Sequence, residues 1–108
     1  MRILRFVVKD QILEKDPDCN FEGLVPGSQK YIKAKFSFSP EWDGYTKVVS
    51  FRSMLGKEYS PQVLQDGYSC IIPSEALVRR AFKVQVLGKK GATTLTTNKF
   101  TVEQKGDK

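Results

Sequence analysis

Residues 31–39 read YIKAKFSFS, and apolar and polar side chains alternate along almost the whole stretch. Successive side chains of a β-strand point to opposite faces, so Ile32, Ala34, Phe36 and Phe38 fall on one face. The lysines and serines between them fall on the other face. The alternation therefore predicts a strand in a sheet that packs on one side and faces water on the other.

Similar patterns recur along the chain and predict further short strands. The predicted strands are residues 1–9, 31–39, 45–52, 59–64, 68–72, 82–86, 93–97 and 100–103. Turn residues separate most of them at spacings of roughly 8–12 residues, which is typical of a β-sandwich. We therefore expect an all-β fold of about seven or eight strands, with a partly open barrel as the alternative.

Glycine, proline and serine mark the connections between these strands. The pair Asp66-Gly67 lies between two apolar runs and predicts a hairpin. Residues 88–91, which read GKKG, predict another hairpin turn. Residues 74–80 predict one short helix of one or two turns, with Ser74 as its N-cap.

Length and composition indicate one soluble globular domain. The chain has 108 residues, of which 40% are hydrophobic and 28% are charged. We expect the β-sandwich domain to span residues 1–103 and residues 104–108 to form a flexible tail. No apolar run is long enough to cross a bilayer, and the N-terminus lacks the features of a secretory signal, so we expect synthesis in a cytoplasm and no membrane partner.

The residue types that enzymes most often use for catalysis are scarce. The chain contains no histidine, which removes the commonest general base and the commonest metal ligand. Cys19 and Cys70 form no Cys-x-x-Cys pair, and we expect free thiols, although one disulfide is possible. Asp16-x-Asp18-x-Asn20 resembles the start of a calcium loop, but the later ligand and glycine positions do not match. We therefore expect no enzymatic activity, no metal and no cofactor.

Two groups of residues are candidates for contact with a partner. Residues 78–90 contain five bases and no acid, which indicates either a solvated basic face or contacts to an acidic surface; a nucleic-acid partner is not expected. Tyrosine and tryptophan are enriched at protein interfaces, although Trp42 also suits a sandwich core. The candidate interaction residues are Trp42, Tyr45, Tyr59, Tyr68, Arg79, Arg80, Lys89 and Lys90.

The stretch Phe36–Lys47 reads FSFSPEWDGYTK and resembles the pattern F-x-F-S-x-E-W-D-G-x-x-K. That pattern is found in small β domains of phage and prophage tail or baseplate proteins of Firmicutes. Segments 64–67, 70–77, 84–88 and 96–98 fit the same family in order, so the resemblance covers roughly residues 31–102. It implies an immunoglobulin-like β-sandwich that serves as an attachment or assembly module, and it carries over no catalytic residue.

The sequence supports three functional hypotheses. The first is a phage virion structural module, made in the bacterial host cytoplasm, that binds other virion or tail proteins or a second copy of itself. The second, based on the short chain and the basic residues, is a small phage-encoded inhibitor that binds a host defence protein. The third is a sugar-binding module, which rests only on Trp42 and the tyrosines.

Overall fold

The computed structural model describes residues 2–24, 32–78 and 80–104, and the regular elements of this part of the chain are almost all short strands. In chain order the strands are β1 (Arg2–Lys9), β2 (Ile12–Lys15), β3 (Ile32–Phe38), β4 (Thr46–Ser53), β5 (Gln62–Val63), β6 (Ser69–Ile71), β7 (Ala81–Lys90), β8 (Thr93–Thr96) and β9 (Phe100–Glu103). A 3-10 turn at Pro40–Trp42 and a single helical turn at Ser74–Leu77 complete the elements of the described residues.

The strands form two sheets that pack face to face. The first sheet has the order β2-β1-β3-β6, and the second has the order β5-β4-β7-β8, with β9 also paired to β7. The alternating apolar residues predicted to share a face lie between the sheets: Ile32, Ala34 and Phe36 are buried, and Phe38 is half-buried. The prediction of an all-β sandwich is therefore confirmed.

Most strand pairs in both sheets are antiparallel. β3 pairs with β6 in one sheet and β4 pairs with β7 in the other, both antiparallel. One pair differs from a purely antiparallel sandwich, because β1 and β3 are parallel over seven residue pairs, from Arg2–Ile32 to Val8–Phe38. Parallel neighbours need a long connection, and here β2 and the segment after it return the chain to the end of the sheet where β1 begins.

β8 and β9 are two halves of one strand that is interrupted by a β-bulge. β8 ends opposite Leu87 and β9 begins opposite Val84, so three residues face two on β7. Thr97 compensates for the interruption: its N–H donates to the Val86 carbonyl (3.1 Å), and its Oγ1 accepts from the Val86 N–H (3.0 Å). The sequence predicts both halves, as residues 93–97 and 100–103, but it does not predict β2 (Ile12–Lys15), so the described part of the chain has nine strand segments against the expected seven or eight.

The bulge also connects the two sheets through a side chain. Asn98 Oδ1 accepts from the Leu13 N–H at 2.7 Å, and Asn98 Nδ2 donates to the Leu13 carbonyl at 3.2 Å. Leu13 lies on β2, at the edge of the first sheet, so the amide of Asn98 makes the two bonds that a neighbouring strand would make. The Asn98 side chain therefore covers this edge of the first sheet and prevents another strand from pairing there.

The predicted hairpin at Asp66-Gly67 is wrong. The turn itself forms, with the Gly67 N–H donating to the Leu64 carbonyl at 2.9 Å, but β5 belongs to the second sheet and β6 to the first. The Asp66 carboxylate accepts from the N–H groups of Tyr68 and Ser69 and from the Ser69 hydroxyl. These local bonds turn the chain towards β3, so the segment crosses between the sheets instead of folding back on β5.

Three further boundaries differ from the sequence-based expectation. Residues 88–90 belong to β7 and the turn comes at Gly91, because Gly88 packs against a core side chain instead of forming the turn. The helical turn begins after Pro73, so Ser74 is its first residue and not its N-cap. Gln104 was assigned to the tail, but it is buried and donates from Nε2 to the Leu77 carbonyl at 3.0 Å. The rest of the predicted tail, residues 105–108, lies outside the described residues.

Replacing Asn98 by alanine should destabilise the protein by about 1–2 kcal/mol, because the Leu13 N–H and carbonyl lose their partners. Urea denaturation measures the loss, and amide hydrogen exchange should show faster exchange at Leu13. Lys99→Ala, a change at the neighbouring exposed position, is the control and should leave both readouts unchanged. Equal stability of the two variants would contradict this role for Asn98.

Asp66 should make the fold sensitive to acid. Hydrogen bonds from the Ser69 side chain and the Tyr68 backbone lower the pKa of Asp66 from 3.8 to about 2. Because the folded-state pKa is the lower one, the stabilisation is present above pH 3.8 and is lost as the pH falls through about 2. The thermal midpoint of the wild type should therefore fall more steeply than that of Asp66→Asn between these pH values. Asp43→Asn, at another exposed turn, should keep the wild-type slope.

Candidate protein-interaction surface

The candidate residues from the sequence lie in three separate places. Tyr45, Lys89 and Lys90 lie at one end of the sandwich, where the β3–β4 and β7–β8 connections meet. Tyr59 and Arg80 lie near the opposite end of β7, roughly 30 Å away along that strand. Tyr68 lies beside β3 on the first sheet, and Arg79 lies outside the described residues. The structure therefore does not bring the basic residues of 78–90 together in one patch.

Trp42 is a core residue, as the sequence analysis suggested for a tryptophan in a β-sandwich. Its side chain has no exposed surface, and its Nε1–H donates to the Asp10 carbonyl at 2.6 Å. Asp10 lies in the β1–β2 turn with a positive φ of 55°, and its N–H donates to Ser39 Oγ at 3.0 Å. Trp42 and Ser39 together hold that turn in place. Trp42 packs beneath the surface residues at this end of the sandwich and is not available for contact with a partner.

Gly88 allows Trp42 to lie directly under β7. A Cβ atom at position 88 would lie 2.7 Å from Cζ3 of Trp42 and 3.3 Å from Cδ2 of Tyr45. Real Cβ atoms do not approach carbon so closely, so any larger residue would displace the ring or the strand. Residues that are distant in sequence, the Trp-Asp-Gly motif and β7, therefore depend on each other for their positions.

A row of aromatic rings leads from the core to the surface at this end. Ring centres are 6.0 Å apart for Phe36 and Phe38, 5.4 Å for Phe38 and Trp42, and 6.2 Å for Trp42 and Tyr45. Tyr45 is half-buried, and Lys90 Nζ lies 5.7 Å from the centre of its ring. Tyr45 is thus a rigidly supported aromatic residue at the surface, which is a favourable property for an interface residue.

The outer face of the second sheet carries an apolar row beside these residues. Val63, Val48 and Leu87 lie opposite one another on β5, β4 and β7. Val63 is 50% exposed, and the other two are half-buried. Val48 and Leu87 line a groove of about 780 Å³, called the groove below, and Val63 lies beside Val48 outside that lining. The other lining residues include Thr46, Glu58, Pro61, Lys89 and Thr94.

The sequence analysis did not identify the apolar residues of the groove. A signal was present, because Val48-Val49 and Val86-Leu87 are adjacent apolar pairs on alternating strands. In each pair one residue must point outwards, and Val49 and Val86 are the ones that are fully buried. Only the pairing register shows that the outward-facing members, Val48 and Leu87, lie next to each other.

Thiol chemistry does not contribute to this surface. Both cysteines are free; Cys70 faces the core, and burial is the main cause that raises its pKa to about 12. Cys19 is half-buried, and its thiol lies 3.8 Å from the Ile3 carbonyl. Within residues 2–24, 32–78 and 80–104, no group of three or more potential ligand side chains could hold a metal ion. No helix in that same part of the chain has the length and hydropathy needed to span a bilayer.

Gly88→Ala should destabilise the protein by about 1–3 kcal/mol, because the added methyl group overlaps the Trp42 ring. In a Trp42→Phe background the same change should cost less, since the smaller ring lacks the indole atoms that the methyl group meets. Urea denaturation of the four proteins gives the coupling free energy, which we expect to exceed about 0.5 kcal/mol. Simple additivity of the two changes would show that residue 88 does not act through Trp42.

Comparison of the chain with protein-family models, with curated proteins and with solved structures finds no match.

Proposed function

We propose that the protein is a non-enzymatic assembly module of a phage virion, associated with the tail or baseplate, that binds another virion protein. The observation that carries the proposal is the position of the motif in residues 36–47. The same residues that resemble phage tail domains support the end of the sandwich where Tyr45, Lys89 and the groove lie. The resemblance and a usable binding surface therefore coincide in one region of the molecule.

The groove has the composition of a small protein interface. Val48 and Leu87 of the apolar row lie at its centre, and its margin contains threonines, Lys89 and Glu58. An apolar centre within a polar margin is the usual arrangement where proteins associate. Rows of side chains on a sheet are held by backbone pairing, so this surface changes little when a partner binds.

The free energy gained by burying the apolar row is too small for the row to account for binding alone. Fully burying a valine or leucine contributes about 1.5–3 kcal/mol, and all three side chains are already partly buried. The row therefore contributes about 2–4 kcal/mol, well below the roughly 8 kcal/mol of a micromolar complex. Lys89 and the threonines at the margin are placed to supply part of the difference.

Charge favours a different protein over a second copy as the occupant of the groove. The chain carries a formal charge of +6, and Lys89 and Lys90 lie at the groove end of β7. Placing two such faces together would bring like charges close, whereas an acidic partner would be attracted. We therefore propose a virion protein with an acidic margin around an apolar patch.

The groove should be required for capture of a virion protein. Immobilised wild type is mixed with disrupted virions of the phage that encodes it, and bound proteins are identified by mass spectrometry. The double change Val48→Ser and Leu87→Ser should reduce capture of a tail or baseplate protein by about tenfold or more, because it removes the apolar side chains that line the groove. Ile12→Ser is the matched control, since Ile12 is 51% exposed on the edge strand of the other sheet.

Four outcomes would overturn this function. Capture of no virion protein would contradict the tail role. Equal capture by the groove variant would show that the groove is not the binding site. Dimerisation of the wild type that the groove variant loses would show a second copy as the occupant. Specific capture of a host defence protein in a parallel experiment, with no virion protein bound, would favour an inhibitor instead.

A further inference from the structure

The outer face of the first sheet is rich in bases that are close to one another. Arg5 on β1 lies directly opposite Lys35 on β3, and Ile3 lies opposite Lys33. Cross-strand neighbours have Cβ atoms roughly 5 Å apart, so two positive side chains compete for the same space. Like charges in this arrangement destabilise a sheet.

No carboxylate oxygen of the described residues lies within ion-pair distance of these bases. The ion pair found in that part of the chain joins Arg52 and Glu58, in the second sheet. Glu14 lies opposite Val7, two residues from Arg5 along β1. The carboxylate of Asp66 interacts electrostatically with Lys33 and is hydrogen-bonded in the turn that it closes. Asp16 follows β2, and its N–H donates to the Arg5 carbonyl at 3.0 Å. Arg5, Lys33 and Lys35 therefore lie near acids but form no ion pair with them in the described part of the chain.

Apolar and aromatic surface lies beside the charges. Ile3 is 38% exposed and Ile71 is half-buried, and they flank Lys33 on either side. Tyr68 is 46% exposed, and Lys35 Nζ lies 5.5 Å from the centre of its ring. Arginine, tyrosine and neighbouring apolar side chains are the combination that dominates the energy of many protein interfaces.

We propose that this basic face, defined by Arg5, Lys33, Lys35 and Tyr68, binds an extended acidic segment of a protein partner. Lys33 and Lys35 are two residues apart on one strand, so their side chains emerge roughly 6.6 Å apart on the same face. An extended peptide with an acid at every second position repeats at the same distance. The charges and the spacing thus match an acidic strand-like segment.

A nucleic acid fits this face less well. Proteins that bind single strands combine bases with several aromatic rings on which nucleobases stack. Tyr68 is the one exposed aromatic side chain among the large apolar residues of the described part of the chain, and Lys35 lies over its ring. Ile3 and Ile71 offer contacts to apolar side chains and none to phosphate.

The basic face lies on the opposite side of the sandwich from the groove. The groove faces outwards from the second sheet, and the basic face belongs to the first sheet. This inference therefore does not depend on the proposed function, and the two can fail separately.

A peptide titration followed by nuclear magnetic resonance tests the proposal. The probe is a synthetic peptide of about 12 residues that alternates glutamate with valine and threonine, and its comparison peptide has glutamine in place of every glutamate. We expect amide shifts on addition of the acidic peptide at residues 3–7 and 33–37, and none with the glutamine peptide. The double change Arg5→Gln and Lys35→Gln should weaken binding about tenfold or more.

Two variants control for general charge and for folding. Lys57→Gln with Lys83→Gln removes two bases from the second sheet and its β4–β5 connection and should leave the affinity within about twofold. Arg5→Lys keeps the charge and should keep most of the binding. The Arg5→Gln and Lys35→Gln protein should melt no lower than the wild type, because it loses a like-charge pair.

Three results would overturn the proposal. Equal binding of the glutamine peptide would show that charge does not matter, and equal loss in the control variant would show that the location does not matter. Tighter binding of oligothymidylate through the same amides, at the same salt concentration, would identify the face as a nucleic-acid site.

Discussion

The burial of Trp42 under β7 is the contact on which the rest of this structure depends. The ring fits only because residue 88 has no side chain, and its N–H satisfies the carbonyl of Asp10 in a turn of the opposite sheet. One side chain thereby fixes the separation of the sheets at this end and the position of the β1–β2 turn. It also determines where Tyr45 reaches the surface. A buried Trp N–H without a partner is costly, so the hydrogen bond and the packing select the same arrangement.

Alternation predicted most of the strands because one face of each sheet is buried and the other is in water. Where the physical signal is local, as in residues 31–39 and 82–86, sequence and structure agree. The connection at Asp66-Gly67 was misassigned because its turn chemistry is compatible with a hairpin or with a crossing between sheets. The choice is made by long-range pairing, since β4 takes β5 and β3 takes β6. Similarly, Gly88 belongs to a strand because of a ring that is 46 positions away in sequence, which no local pattern reveals.

Residue type alone predicted the candidate surfaces poorly, because the pairing register of the strands decides which residues are neighbours. Trp42 was correctly interpreted as core, whereas the bases of residues 78–90 looked like one strip and are divided between the two ends of β7. Conversely, Arg5 and Lys35 are thirty positions apart in sequence, and parallel pairing of β1 with β3 makes them neighbours. Interaction surfaces on a sheet are built across strands. Their composition therefore depends on which strands pair and in which register, and single-strand patterns contain little of that information.

The two outer faces of the sandwich have different chemistry, and this difference bears on what an assembly module needs. One face presents the apolar row of Val63, Val48 and Leu87, and the other presents Arg5, Lys33 and Lys35. A two-layer sandwich separates such faces by the thickness of its core, about 10 Å between sheets plus the outer side chains. A partner on one face therefore neither blocks nor distorts the other. The proposed role of joining two components calls for two independent surfaces with different selectivity, and the two outer faces of the sandwich are far enough apart to serve as them.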